Sequence, residues 1–330
     1  MYTVKHATIY FICRFNLASE KMLKSLYIDL QINNKHVMRY FKILCFLIPV
    51  ILFFTACEKS QDGAIDDLSG NTGSIIIDHR TVKLSSIPSE WIEAAKKSLH
   101  IAYGHTSHGS QLTTGMTGLV SFKGENYEWN KGGKGGALDL HDYAMQGDLG
   151  NPDRTTWASR TRTYLASNPG VNVIIWAWCG QVSSASSKDI ETYLRLMTEL
   201  EKDYPDVKFV YMTGHLDGTG LTGNLHIRNE QIRKYCRENN KILYDFADIE
   251  CYDPDGVYFG DKIPNDACGY DTDGNGSRDG NWAIEWQNSH KEGTDWFKCN
   301  ASHTQPLNAN QKAYAAWWLW ARLAGWNGKL

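Results

Sequence analysis

From residue 84 onwards the chain alternates short apolar runs with stretches of helical spacing. Residues 99–103 form an apolar run of strand length that ends at Gly104. Residues 171–178 are apolar on both faces, as central parallel strands are, and 207–212 and 242–246 repeat the pattern. Between these runs the apolar residues fall three or four apart. Leu194, Met197 and Leu200 mark a helix over 190–204, closed by Pro205-Asp206, and 224–239 reads as another. A helix over 156–167 is stopped by Asn168-Pro169-Gly170, and Ile87-Pro88-Ser89 opens one that runs through Lys97. Strands alternating with helices over this length predict an α/β fold, a three-layer sandwich with a central parallel sheet flanked by helices. Residues 121–155 read as loop. The glycines of 131–136 lack the Ser/Thr after a Gly-Lys pair, and the strand–loop–helix context, of a phosphate-binding loop. The pattern lapses from Asp248 to Lys298, which predicts an irregular C-terminal insertion at about 250–298. A last helix runs to Leu323. Its Trp317, Trp318 and Trp320 cannot share one helical face, so at least one is expected outside the core.

The amino-terminal pattern is different. Met38-Arg39-Tyr40-Phe41-Lys42 is basic, 43–54 is apolar apart from Pro49, and Phe54-Thr55-Ala56 leads into Cys57. The run is too short to cross a bilayer and has the layout of a signal peptide. It resembles a bacterial lipoprotein signal, which implies lipidation of Cys57, export, and attachment to a membrane of the cell envelope. Translation is then expected to begin at Met38, with 1–37 an upstream extension. Residues 58–83 read as a flexible tether and 84–330 as the folded domain.

Composition narrows the partners. Hydrophobic residues at 42% and charged residues at 22% are ordinary for a globular domain, and a net charge of -3 leaves no basic footprint for nucleic acid. The 12 Trp and 17 Tyr supply rings that suit either a core or a sugar platform. Beyond Cys13, Cys45 and Cys57, five cysteines remain: Cys179, Cys236, Cys251, Cys268 and Cys299. An odd number leaves at least one free thiol. The three in the last third, Cys251, Cys268 and Cys299, point to a disulfide among them with the pair left open.

Candidate chemistry begins where the first strand run stops. Gly104-His105-Thr106-Ser107-His108-Gly109 places a hydroxyl at the carboxyl end of a strand, the edge where open α/β sheets bind ligands. Asn300-Ala301-Ser302-His303 precedes the last helix. In order and context these landmarks resemble the SGNH/GDSL hydrolase superfamily over roughly residues 84–327. The resemblance implies Ser107 as nucleophile, His303 as base, and Gly150 of Asp148-Leu149-Gly150 as an oxyanion-hole glycine. It also implies an oxyanion-hole amide from Gln181 of Cys179-Gly180-Gln181. Asn300 stands where the family has Asp, and an amide orients an imidazole without stabilising the imidazolium. Either a Ser107–His303 dyad acts, or Asp248, Glu250 or Asp295 completes a triad. The implied activity is that of an exported, lipid-anchored serine esterase. It would remove acyl groups, acetyl in particular, from a small-molecule or polysaccharide ester without a catalytic cofactor.

Two other readings use the same chain. His105, His108, His141 and His215 all fall in predicted loops, which fits a metal-dependent hydrolase lacking any HExxH motif. Trp282, Trp286 and Trp296 fit a non-catalytic glycan-binding lipoprotein. A lipase is less suited, because no segment reads as a broad apolar lid. Separately, Asp271, Asp273 and Asn275 occupy places one, three and five of a calcium-type loop, with Gly276 sixth and Asp279 ninth. Trp282 stands at the twelfth place, where a bidentate Glu belongs, and Glu285 lies three residues beyond. A calcium ion there would brace the insertion.

Overall fold

The four apolar runs all become strands of one sheet. In a computed structural model, which describes residues 73–329, seven strands pair in the order β1-β7-β6-β5-β2-β4-β3, every pair parallel. They are β1 (Ile75–Ile77), β2 (His100–Gly104), β3 (Trp129–Asn130), β4 (Leu138–His141), β5 (Val173–Trp176), β6 (Lys208–Met212) and β7 (Ile242–Tyr244). Eight helices accompany them. These are α1 (Ser89–Ser98), α2 (Ser110–Lys123), α3 (Thr156–Ser167), α4 (Ser187–Asp203), α5 (Asn224–Glu238), α6 (Phe246–Ile249), α7 (Trp282–Ser289) and α8 (Pro306–Leu323). α1, α2 and α8 pack together in one layer, and α3, α4 and α5 in another. The result is a three-layer α/β sandwich. A sheet covered on both faces needs strands that are apolar throughout, and every residue of β5 is buried.

Several sequence expectations are revised. The sheet begins at Ile75, inside the span 58–83 assigned to the tether, because three isoleucines suffice to pair with Ile242–Tyr244. Residues 121–155 are not all loop: β3 and β4 extend the sheet there, each too short to show a period. Trp317, Trp318 and Trp320 are all buried, since α8 packs against α1 and α2 and is buried nearly all round. A side chain at Gly115 of α2 would come within 2.1 Å of the Ala309 carbonyl oxygen of α8, so glycine sets how closely the two helices cross. The insertion has a second hydrophobic cluster, Phe259, Cys268, Tyr270, Trp282, Ala283 and Trp296, which Leu307 of α8 completes. It also contains α7 and a two-stranded hairpin, β8 (Gly269–Tyr270) with β9 (Gly280–Asn281). No disulfide joins Cys251, Cys268 and Cys299, and all five described cysteines are free. Their sulfurs hydrogen-bond elsewhere: Cys251 to the Ala247 carbonyl, Cys268 with the Thr304 hydroxyl, Cys299 to the Pro306 carbonyl. The expected signal peptide, with Met38 and Cys57, lies outside the described residues. Among the described residues no helix is long and apolar enough to cross a membrane.

Candidate active site

Strand order decides where chemistry gathers. The chain leaves β2 for β4 and β3 on one side, then crosses to β5 on the other, so the carboxyl ends of β2 and β5 flank a topological switch point. The turn after β2 carries Ser107 and His108, and the turn after β5 carries Cys179, Gly180 and Gln181. The loop after β6 adds His215, the insertion adds Asp266, and the turn before α8 adds His303.

Three of these form a chain of hydrogen bonds. His108 Nδ1 lies 3.0 Å from Cys179 Sγ, and His108 Nε2 lies 2.9 Å from Asp266 Oδ2. One imidazole thus stands between a thiol and a carboxylate, which is how a nucleophile, a base and an orienting acid are joined. The hydrogen bond from His108 lowers the Cys179 thiol to about 6 against the desolvation that opposes it, with further help from Ser107 and Thr106. Burial works to lower His108, but its bonds to Asp266 and Cys179 together raise it to about 9. Burial raises Asp266, yet the His108 contacts outweigh this and hold it below the usual carboxylate range. Near neutral pH the pair is therefore a thiolate beside an imidazolium, the reactive form of a cysteine.

His108 is also sandwiched. Its ring stacks on His215 at 3.7 Å between centroids and 2° between planes, and on His303 at 4.3 Å and 13°. Burial lowers His215 below the usual imidazole value; nearby Glu250 opposes this and its neighbour His108 adds to it. Its Nδ1 lies 2.9 Å from the Leu216 carbonyl, and its buried Nε2 has no partner. His303 is exposed and has a left-handed backbone, φ 62°, which is uncommon for a residue other than glycine.

The residues singled out by sequence are distributed as follows. Ser107 Oγ lies 3.4 Å from Cys179 Sγ, and among the described residues no hydrogen bond joins it to His303. Asn300 is exposed and makes no hydrogen bond to His303 among the described residues. Gly150 does meet Gln181. Its φ is +96°, and a side chain there would come 2.5 Å from Arg154 Nη1 and 3.0 Å from Gln181 Cβ. Gln181 acts as a clamp: its Oε1 accepts the Cys179 N–H at 2.7 Å, and its Nε2 donates to Asp148 Oδ1 at 2.9 Å. Asp148 also accepts the Thr106 hydroxyl at 2.6 Å, so the turns after β2 and β5 are tied through one buried carboxylate. Burial raises that carboxyl above its ordinary value. None of the three carboxylates weighed for the triad contacts these groups. Asp248 pairs with His79, Glu250 with Lys312, and Asp295 accepts the Lys291 N–H.

The four histidines of the metal reading do not form one site. His105 is bound to Asp142 and His141 to Tyr164. His108, His215 and Asp266 do bring ligand atoms within 4.8 Å of one another. A shared ion, however, must lie in both imidazole planes at ~2.0–2.1 Å from each nitrogen. Two rings stacked 2° from parallel, with both nitrogens of His108 already engaged, do not offer that geometry. In the calcium-type loop the side chains close onto the loop's own amides. Asp271 accepts from Gly274 and Gly276, Asp273 from Asn275, Asn275 from Ser277 and Asp279 from Thr272. These bonds hold Asp271 and Asp279 below the usual carboxylate range. Glu285 is taken up by the Tyr270 hydroxyl and the Asn281 N–H. Of the proposed sugar platform, Trp282 and Trp296 are buried in the insertion's core, and Trp286 stacks on His290 at 3.6 Å.

No local pattern in the sequence brings Cys179, His108 and Asp266 together. Cys179 was legible as the residue directly after the apolar run 171–178, whereas Asp266 lies in a stretch with no periodic pattern to mark it. No protein-family model matches this chain, and neither does any curated protein or solved structure.

Proposed function

We propose that the protein is a hydrolase of acyl bonds in which Cys179 is the nucleophile, His108 the general acid–base and Asp266 the group that orients it. The observation that carries this reading is the placement of His108 between Cys179 Sγ, at 3.0 Å, and Asp266 Oδ2, at 2.9 Å. The thiolate attacks the carbonyl carbon and an S–C bond forms. As the ester C–O bond breaks, His108 passes its proton to the departing alkoxide. Water then adds to the thioester while His108 takes its proton, and the C–S bond opens to return the thiolate and release the acid. The Ser107 hydroxyl, 3.4 Å from the sulfur, is suited to donate to the oxyanion of the tetrahedral adduct.

A second reading keeps Ser107 as the nucleophile with His303 as base, in the manner of SGNH hydrolases. It is favoured by Ser107 lying directly before His108, on whose ring His303 stacks at 4.3 Å. The substrate class we propose, an O-acylated and in particular an acetylated carbohydrate, rests on the lipoprotein-like leader, as do export and lipid anchoring at Cys57. Metabolic labelling with palmitate, lost in Cys57→Ala, tests the anchor.

Hydrolysis of 4-nitrophenyl acetate separates the two nucleophiles. Cys179→Ala is expected to lower kcat/KM by about a thousandfold or more. Ser107→Ala is expected to lower it by about a hundred- to a thousandfold while leaving Cys179 reactive towards iodoacetamide. Unchanged turnover in Cys179→Ala would overturn the cysteine assignment.

A further inference from the structure

Deep to the histidine stack lies an ion pair that the chemistry above does not use. Lys312 of α8 and Glu250, just after α6, are both buried, with Nζ 2.6 Å from Oε1. A buried pair of this kind is a weak source of stability, because desolvation offsets most of its attraction. Lys312 Nζ also lies over the Phe246 ring, and the pair's two other side-chain hydrogen bonds among the described residues lead towards the site. Glu250 Oε2 accepts the Leu216 N–H at 2.7 Å. The Leu216 carbonyl in turn stands 2.9 Å from His215 Nδ1 and accepts the Asp266 N–H at 3.1 Å. On the other side Lys312 Nζ donates to Gln111 Oε1, and Gln111 Nε2 donates to the Ser302 carbonyl at 2.7 Å, next to the left-handed backbone of His303.

We propose that Glu250, Lys312 and Gln111 are positioning residues for His108. One arm, through Leu216, holds the ring on one face of His108 and the carboxylate at its Nε2. The other arm, through Gln111, holds the ring on the opposite face. Without the brace, His215, Asp266 and His303 are free to shift, and His108 can then tilt away from Cys179. The inference rests on the Cys179–His108 reading and assigns its support.

The test is the rate of Cys179 alkylation by iodoacetamide as a function of pH, together with kcat and KM on 4-nitrophenyl acetate. The groups facing His108 are Cys179, Asp266, His215 and His303, with Asp148 the next carboxylate. The double variant Glu250→Gln/Lys312→Met removes both charges together and so strands neither. Its alkylation midpoint is expected to rise from about 6 by about one unit, as the imidazolium leaves the thiolate. Its kcat is expected to fall about ten- to a hundredfold with KM little changed. Gln111→Met cuts only the arm to Ser302 and keeps the ion pair, so it serves if the double variant does not fold. It is expected to show the same two changes at smaller size. Folded variants with the native alkylation profile and kcat would overturn the proposal. Because alkylation reads the His108–Cys179 pair directly, it tests the brace even if Cys179→Ala retains esterase activity and the catalytic reading fails.

Discussion

Asp266 Oδ2 lies 2.9 Å from His108 Nε2, although the two stand 158 positions apart in the chain. The contact exists because the insertion docks on the loop after β6. The Gly218 N–H donates to the Pro264 carbonyl and the Asp266 N–H to the Leu216 carbonyl.

Replacing that carboxylate by an amide removes its charge and keeps its shape. Asp266→Asn is expected to lower kcat by about 10²–10⁴-fold, as when an orienting acid is neutralised in serine triads. The Cys179 alkylation midpoint should rise in the same variant, because its imidazolium is less stable. An unchanged kcat would remove Asp266 from the mechanism.

The rate should depend on pH in a bell. As pH rises through about 6, Cys179 loses its proton and gains the form that attacks. As pH rises further through about 9, His108 loses the proton it must give to the leaving group. The optimum therefore lies between these values. A kcat/KM profile that keeps climbing above pH 9, without a falling limb, would contradict the thiolate–imidazolium pair.

Trp282 separates a sugar platform from a core residue. It is 1% exposed and packs with Phe259 and Tyr270. Trp282→Ala is expected to cost about 3–5 kcal/mol of stability, measured by denaturant unfolding, as for a large side chain removed from a core. Loss of glycan binding at full stability would restore the platform reading.

The α2–α8 crossing offers a test remote from the chemistry. Gly115→Val forces the helices apart at Ala309 and is expected to cost about 1–3 kcal/mol, seen as a lowered Tm. A variant as stable as the native protein would show that the helices part freely.

Non-reducing thiol titration of the unfolded chain checks the cysteines. Cys179, Cys236, Cys251, Cys268 and Cys299 should all react, since none is paired.

How much of this could be read without coordinates follows from the reach of each signal. The helix Thr156–Ser167 and the strand Lys208–Met212 were legible because the period of apolar residues is a local property, and stop signals such as Asn168-Pro169-Gly170 mark its end. The place of the site was legible as well, as a polar turn following a buried strand. β3 and β4 were not, being too short for a period to show.

Burial patterns a few residues long are enough to specify the layered α/β architecture and the strand ends that carry the candidate site. The partners at the candidate site come from the packing of distant segments. Ser107 faces Cys179, His108 stands between a thiol and Asp266, and Glu250 is spent on Lys312. Hydrogen bonds and ring stacks act over three or four ångströms. Which side chains come that close depends on how strands cross over and where an aperiodic insertion docks, and no local pattern in the chain encodes either.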